Sequence, residues 1–309
     1  MLYSTNGNNP MMHTLLVFGG GGFVGGNLAT VAIRRGWDVH IAERVQFHGG
    51  LPGARWHLLD IREAAAVRDL VAELAPRAVV DLAAVADIDR AEKEREQARA
   101  VNVDAARTIA AASAAAGAYC LYFSSDAVFA GTAAGYAEED PPAPVNYYGR
   151  TKVEGEQAVR QADPRAGIVR LSLVLGFPVT EGNSFFAALE AKLKAGQEIP
   201  SPADEIRTPV DVLTLSECVL ELIGLRFAGV LHIGSTDSID RASLTRRAAE
   251  LLGYPGARVL AQTGGAPASG RAARHKNGII RVDKARALLK TPLRSAEASI
   301  RRAIQERLR

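Results

Sequence analysis

The chain has 309 residues, of which 48% are hydrophobic and 23% are charged, a balance typical of globular proteins. Lys and Arg total 37 and Asp and Glu total 34, so the composition excludes the strongly basic surface of a protein that works mainly on nucleic acid. No apolar run approaches the roughly 18 residues of a membrane-spanning helix. The two cysteines, Cys120 and Cys218, are far apart and no secretory leader pattern is present, so we expect a cytoplasmic protein.

Residues 1–13 are mostly polar and show no periodicity, so we predict a disordered tail there. From Thr14 onward, short β-type runs alternate with Ala-rich helical patterns. This alternation predicts an α/β fold with a doubly wound parallel sheet of the Rossmann type. The predicted strands are 15–18, 39–42, 56–59, 78–82, 119–123 and 168–171, and the predicted helices are 24–35, 64–75, 91–116 and 148–161.

Beyond residue 171, Gly and Pro punctuate shorter segments. We therefore predict a dinucleotide-binding domain over 14–171 and a smaller C-terminal substrate-binding lobe over 172–309. Gly229–Ile233 predicts one more buried strand, a candidate for return to the main sheet. The lobe's predicted helices are 184–195, 212–222, 241–252 and 295–308, with a loop at 262–277.

A glycine-rich turn follows the first strand and precedes the first helix. Gly20, Gly22 and Gly25 fit G-x-G-x-x-G, and Gly19 with the last two fits G-x-x-G-x-x-G. Such spacing lets the backbone approach a pyrophosphate, whose charge then faces free amides and a helix N-terminus. A plain glycine turn is the alternative. The predicted cofactor-binding residues of this turn are Gly19, Gly22, Phe23, Val24 and Gly25.

Polar residues at two further strand ends bear on the choice of cofactor. Glu43, about 20 residues beyond the glycines, suits the ribose hydroxyl of NAD, whereas Arg44 suits the 2′-phosphate of NADP. Because a carboxylate repels an added phosphate, we favour NAD, with a solvated Glu43–Arg44 pair as the alternative. Asp60 and Ile61 are predicted to contact the adenine end, although a helix cap suits Asp60 equally.

A second site is predicted from Ser125, Tyr148 and Lys152. Tyr-x-x-x-Lys at the start of a helical pattern places the phenol and the ammonium one turn apart on the same face. A nearby cation stabilises phenolate and so lowers a phenol pKa from about 10. Ser125 follows the fifth strand, at the sheet edge where open α/β folds bind ligands. Without the glycine turn and Ser125, the Tyr-x-x-x-Lys spacing also fits an exposed tyrosine and a solvated lysine with no catalytic role.

With these residues the chain resembles the extended short-chain dehydrogenase/reductases of the nucleotide-sugar branch, and within them the dTDP-4-dehydrorhamnose reductase family. The resemblance extends from about Leu15 to Asp211 and fades toward the C-terminus. It is carried by the glycine turn, by S-S-D-A-V-F-A-G from Ser124, by Tyr136, Glu138, Asp140 and Pro144, by Y-G-R-T-K-V-E-G-E from Tyr148, by the segment 82–92 and by Val101–Asn102.

The resemblance implies an oxidoreductase in which a nicotinamide hydride goes to a ketone carbon of a nucleotide-linked 4-keto-6-deoxy sugar. Tyr148 would protonate the forming alkoxide, Lys152 would tune Tyr148 and hold the nicotinamide ribose, and Ser125 would polarise the carbonyl. It also implies a homodimer. The further candidates are Ala83, Ala84 and Asn102 for the cofactor, and Ser125, Asp126, Val85, Asn183 and Arg207 for the substrate.

Several alternatives stay open at this level. Asn102 lies in a predicted helix, where its side chain could instead hydrogen-bond to the nearby backbone. Arg207 could instead be a solvated surface arginine. Ala127 and the pair Val85–Ala86 replace the family's Tyr and Tyr-Thr, which leaves the substrate open. An epimerase or a dehydratase that recycles its NAD fits the same residues. The resemblance implies an acidic residue next to the catalytic hydroxyl in dehydratases of this branch, and Asp126 is next to Ser125. A regulatory subunit, like the non-catalytic partner of methionine adenosyltransferase, is the remaining alternative. The histidine and cysteine spacing predicts no metal site.

Overall fold

The computed structural model describes residues 13–45, 47, 49–180, 182–263 and 271–307. The predicted tail, except for His13, and positions 264–270 of the predicted loop therefore lie outside the described residues. The strands are β1 Thr14–Phe18, β2 Asp38–Glu43, β3 Ala54–Leu58, β4 Ala78–Asp81, β5 Tyr119–Ser125, β6 Gly167–Leu171, β7 Val174–Leu175, β8 Ile199–Pro202, β9 Ile206–Arg207, β10 Val210–Asp211, β11 Gly229–Ile233, β12 Ile239–Asp240, β13 Val259–Gln262 and β14 Asn277–Gly278.

Helices cover the sheet and make up much of the chain beyond residue 171. They are α1 Phe23–Arg34, α2 Ala64–Leu74, α3 Ile88–Lys93, α4 Arg95–Arg99, α5 Ala106–Ala115, α6 Tyr147–Ala162, α7 Phe185–Lys194, α8 Val212–Leu225, α9 Arg241–Leu251, α10 Asp283–Leu288 and α11 Ala296–Gln305. None of the described helices is long and apolar enough to cross a bilayer.

Seven parallel strands form the central sheet, in the order β11-β6-β5-β4-β1-β2-β3. The order reverses at β1, whose neighbours are β4 on one side and β2 on the other. In such sheets the crevice outside the carboxyl ends of the strands at the reversal is where ligands bind. The predicted doubly wound fold is confirmed, and β11 from the C-terminal part pairs with β6.

Both faces of the sheet are covered, so strand residues of either parity are buried. Leu15 and Val17 of β1 pack toward α1 and α8, in one core cluster. Leu16 and Phe18 belong to the cluster on the opposite face, toward α2 and α5. A separate hydrophobic cluster beyond the sheet joins α7, α9 and α11.

The single helix predicted over 91–116 is wrong in detail, because the segment is divided. It starts earlier, at Ile88, because Asp87 caps α3 by accepting a hydrogen bond from the Arg90 amide at 2.7 Å. Glu94 then leaves the helical conformation, with φ −110° and ψ 53°. A π-helical segment follows at Ala100–Ala105. The π-helical segment contains Asn102, whose side chain bonds to Val85 and Thr151 outside the segment, contacts that the helical periodicity of the sequence does not record.

Glycines in α6 let this helix lie close to the sheet. A Cβ at Gly155 would collide with the Tyr122 hydroxyl and with the carbonyl oxygen of Asn102. Gly155 therefore sets the distance of α6 from β5 and from the π-helical segment.

Replacing Gly155 by Ala should lower the free energy of unfolding by about 1–3 kcal/mol, because the added methyl group overpacks this contact. Gly224→Ala in α8 is the matched control, since a Cβ there meets open space. That change should raise the free energy of unfolding by about 0.5–1 kcal/mol. Urea unfolding of both variants measures the two signs, and a neutral or stabilising Gly155→Ala would contradict the packing argument.

Candidate active site

The glycine turn between β1 and α1 has backbone geometry that side chains would prevent. Gly19 has φ +78°, and a Cβ there would lie 2.8 Å from the Ala83 amide nitrogen. A Cβ at Gly25 would collide with the Gly19 carbonyl oxygen. No side chain caps α1 at Gly22. The turn therefore presents a bare helix N-terminus, which attracts anions.

A cleft of about 260 Å³ lies beside this turn, at the carboxyl end of the sheet. Phe23, Val24 and Gly25 form the first turn of α1 next to it. The predicted residues that line the cleft are Gly19, Gly22, Glu43, Arg44, Asp60, Ile61, Ala83, Ala84 and Val85. Sequence reasoning did not assign Arg62, Arg90 and Gln97 to the site, although they also line the cleft and Arg90 lies in the segment 82–92 that carries the resemblance.

The acidic residues of the cleft are already hydrogen-bonded. Glu43 accepts a hydrogen bond from the Gly21 amide at 3.2 Å and from the Arg44 amide at 3.0 Å. Asp60 pairs with Arg62, whose side-chain hydrogen bonds lower the pKa of Asp60 to about 2. Asp60 does not cap α2, whose N-cap is Glu63. The cleft is thus lined by hydrogen-bonded carboxylates together with Arg44, Arg62 and Arg90.

Ser125 and Tyr148 meet where β5 ends and α6 begins. Asn146 caps α6 by accepting a hydrogen bond from the Gly149 amide at 2.8 Å, which fixes the first turn that carries Tyr148. Burial raises the pKa of Tyr148 to about 12, the Ser125 hydroxyl lowers it, and the charge of Asp126 raises it. The pKa of Tyr148 is therefore raised, whereas the Tyr-x-x-x-Lys spacing predicts that it is lowered, because burial outweighs the groups that favour the phenolate. Tyr148 is a neutral phenol, able to donate a proton.

Lys152 lies one turn farther along α6 and is buried, with Nζ 4.2 Å from the centre of the Tyr122 ring. Burial lowers the pKa of Lys152, whereas the charges of Asp81 and Glu156 raise it. Burial raises the pKa of Asp81, and Lys152 lowers it. Asp81 pairs with Tyr122 across β4 and β5, so both side chains lie on the face that α6 covers. Asp81 is therefore a titratable group beside Lys152, and sequence reasoning did not identify it.

A buried ion pair anchors the middle of α6 to the sheet. Arg170 on β6 donates to both carboxylate oxygens of Glu156 at 2.8 Å, and Ser124 donates to the same carboxylate. All three side chains are buried. The pair fixes the rotation of α6 and hence the direction in which Tyr148 and Lys152 point.

Asn102 is fully buried in the π-helical segment. Its Oδ1 accepts a hydrogen bond from the Val85 amide at 2.9 Å, and its Nδ2 donates to Thr151 Oγ1 at 2.9 Å. The Tyr122 hydroxyl donates to its carbonyl oxygen at 3.1 Å. Asn102 thus joins the loop after β4 to the residue next to Lys152. The predicted cofactor contact of Asn102 stays a prediction.

The predicted substrate residues lie at different places. Val85 is buried at the cleft, and Asn183 is exposed just before α7. Arg207 donates to the carbonyl oxygens of Ile206, Lys276 and His275 at 2.8, 2.9 and 3.1 Å. These bonds to the backbone occupy its guanidinium, and its predicted substrate contact stays a prediction. Within the described ranges, no group of His, Cys, Asp or Glu side chains could hold a metal ion.

Comparisons with known proteins agree on one family. The model described as RmlD substrate binding domain matches residues 12–309. The dTDP-4-dehydrorhamnose reductase of Mycolicibacterium smegmatis is 32% identical over 252 residues, covering 81% of this chain and 72% of that protein. The crystal structure of dTDP-4-dehydrorhamnose reductase from Bacillus anthracis in complex with NADP has a TM-score of 0.85 and 29% identity, covering 96% of this chain and 99% of that one.

A protein with a different name is also similar. Methionine adenosyltransferase 2 subunit beta of Xenopus tropicalis is 29% identical over 207 residues, covering 65% of this chain and 62% of that protein. Proteins whose names describe an enzyme and proteins whose names describe a subunit thus both resemble this chain.

Replacing Asp81 by Asn should lower the pKa of Lys152 further, because the variant loses the carboxylate charge that raises it. An NMR titration of protein labelled with ¹⁵N at the lysine ζ-nitrogens measures the change. Asp38→Asn is the control, since Asp38 pairs with Arg55 and His40 at the start of β2. An unaltered Lys152 titration in Asp81→Asn would contradict the coupling.

Proposed function

The chain belongs to the dTDP-4-dehydrorhamnose reductase family of oxidoreductases, and we propose that it reduces the keto group of a nucleotide-linked 4-keto-6-deoxy sugar with NAD(P)H. The observation that carries the proposal is the convergence of Ser125, Tyr148 and Lys152 at the carboxyl edge of the sheet, beside the glycine turn. The turn suits a dinucleotide, because Gly19 and Gly25 let the backbone pack tightly against Ala83 and upon itself, which leaves the uncapped N-terminus of α1 open to a pyrophosphate.

The three side chains divide the chemistry at the carbonyl group. A bound reduced nicotinamide supplies hydride for the carbonyl carbon. Tyr148, a neutral phenol, donates its proton to the carbonyl oxygen as negative charge develops there, so that C=O becomes CH–OH. The Ser125 hydroxyl hydrogen-bonds to the same oxygen. The Lys152 ammonium stabilises the phenolate that Tyr148 leaves behind.

The cleft supports NADPH as well as NADH. Sequence reasoning favours NAD through Glu43, yet Arg44, Arg62 and Arg90 also line the cleft. Arginine binds phosphate well, because its planar donors match the phosphate oxygens. We therefore assign the 2′-phosphate of NADP to the end of the cleft where Arg44 and Arg62 lie.

The surroundings of Asp126 weigh against a dehydratase, which would need a protonated acid next to Ser125. Burial raises the pKa of Asp126, but His275, Arg207 and Ser172 lower it more, so the pKa lies below its ordinary value. An ionised carboxylate cannot donate a proton. Stoichiometric loss of NAD(P)H absorbance separates the reductase from an epimerase that recycles its cofactor.

The second candidate function is a regulatory subunit, which the similarity to methionine adenosyltransferase 2 subunit beta favours. A stable complex with a methionine adenosyltransferase, without any oxidation of NAD(P)H, would support it over the reductase.

We place the reaction in the cytoplasm, since Cys120 and Cys218 are buried free thiols. The homodimer that the resemblance implies stays a prediction, which light scattering of the purified protein tests.

Tyr148→Phe should reduce turnover by about a hundredfold or more, because it deletes the proton donor and little else. The Kd of NADPH should stay nearly unchanged, since the glycine turn and the cleft are intact. Loss of NADPH absorbance measures turnover, and fluorescence titration measures Kd. Tyr254→Phe, in the loop after α9, is the control for the loss of a phenol hydroxyl. Near-normal turnover of Tyr148→Phe would remove Tyr148 from the catalytic role.

Arg44→Ala should weaken NADPH binding by about tenfold, the loss of one charge-assisted hydrogen bond. NADH binding should change by less than about twofold, because NADH lacks the 2′-phosphate. Titrating each reduced cofactor measures the two constants. Arg160→Ala, an exposed arginine of α6, should change neither. Equal losses for the two cofactors would contradict the assignment of Arg44 to the phosphate.

A further inference from the structure

A buried cluster lies directly behind Ser125. Asp126 is 3% exposed, and its Oδ1 accepts a hydrogen bond from Ser125 Oγ at 3.1 Å. Its Oδ2 accepts a hydrogen bond from Ser172 Oγ at 2.8 Å. The same oxygen lies 3.2 Å from Nε2 of His275 and 3.7 Å from Nε of Arg207. One carboxylate therefore links the Ser125 hydroxyl to two basic side chains.

His275 reaches Asp126 because Gly278 leaves room for it. A Cβ at Gly278 would collide with Oδ2 of Asp126 and lie 2.9 Å from Nε2 of His275. The imidazole is 4% exposed, and neither ring nitrogen has a well-formed hydrogen bond. Arg207 donates to the His275 carbonyl oxygen at 3.1 Å, which holds this segment in place. Asp126 is thus the polar group that His275 faces at short range.

Other charges also face this cluster. Glu205 lies 3.4 Å from Arg207, and its carboxylate offsets part of the guanidinium charge. Arg241, at the start of α9, interacts electrostatically with Glu205, Arg207 and Asp126. The carboxylates of Glu205 and Asp126 therefore offset the charges of Arg207 and Arg241. The short contact that the His275 side chain makes is with Asp126.

The Ser125 hydroxyl has one proton, and two acceptors compete for it. Asp126 accepts that proton in the structure, and the carbonyl oxygen of a substrate needs it during reduction. A carboxylate that also interacts with cationic partners is a weaker acceptor for a further donor. The strength with which Asp126 holds the Ser125 proton therefore depends on what lies at Oδ2.

We propose that His275 is a positioning residue, which draws the Asp126 carboxylate toward itself and leaves the Ser125 hydroxyl proton free for the carbonyl oxygen. The inference rests on the proposed reductase function. It gives a role to a histidine of the segment that the sequence predicts as the loop 262–277.

The test is a double-mutant cycle on the whole chain, with NADPH and a nucleotide-linked 4-keto-6-deoxy sugar as substrates. His275→Gln should lower kcat by about tenfold and leave the Kd of NADPH and the KM of the sugar within about twofold. In a Ser125→Ala background, where the hydroxyl is already lost, the same change should lower kcat by less than about twofold. If His275→Gln lowered kcat by the same factor with Ser125 and with Ala at position 125, the two residues would act independently and the inference would be overturned.

Gly278→Ala provides an independent perturbation, because its methyl group pushes Asp126 and His275 apart. It takes the place of His275→Gln in the cycle if that variant fails to fold, as judged by its melting temperature. His57→Gln, which alters a histidine on β3 that contacts His40, should leave kcat unchanged. A wild-type chain that does not oxidise NADPH would overturn the proposed function and the inference together. Wild-type turnover with a multiplicative cycle would overturn the inference alone.

Discussion

The active-site helix depends on the buried pair between Glu156 and Arg170. Its two charges lie in the interior and are matched by two hydrogen bonds of 2.8 Å. Removing one partner of such a pair costs about 3–5 kcal/mol, because the remaining charge is left buried and unpaired. Lys152 lies one turn before Glu156, and Asp81 lies near Lys152. Buried charges of alternating sign thus run from the sheet into the site, and each offsets the cost of burying its neighbour.

The two acids nearest Ser125 are held in opposite protonation states. Burial keeps Tyr148 neutral, whereas basic partners keep Asp126 ionised although Asp126 is only 3% exposed. A pair of titratable groups with diverging pKa values identifies which group is the acid in a reaction. This difference favours protonation of an oxygen by Tyr148 over proton donation by Asp126. It is the electrostatic reason to prefer reduction over elimination at this site.

The features that were predictable from the sequence have local causes. The glycine turn was predictable because strand, turn and helix are continuous in the chain, and the backbone there has to adopt a geometry such as φ +78° at Gly19. The one-turn relation of Tyr148 and Lys152 follows from helical periodicity alone. The doubly wound sheet follows from the alternation of strands and helices. The division of the 91–116 segment was not predictable, because Asn102 bonds to a loop and a helix outside it.

The sequence by itself therefore determined the sheet, the glycine turn and the local spacing of Tyr148 and Lys152, since each arises from neighbours along the chain. Only the tertiary structure decided what surrounds them. It places Asp81 of β4 near Lys152, Arg90 with Arg44 in the lining of one cleft, and His275 against Asp126. Those contacts join residues that are distant in sequence, and they exist because strand order and helix packing bring the carboxyl ends of separate strands to one edge.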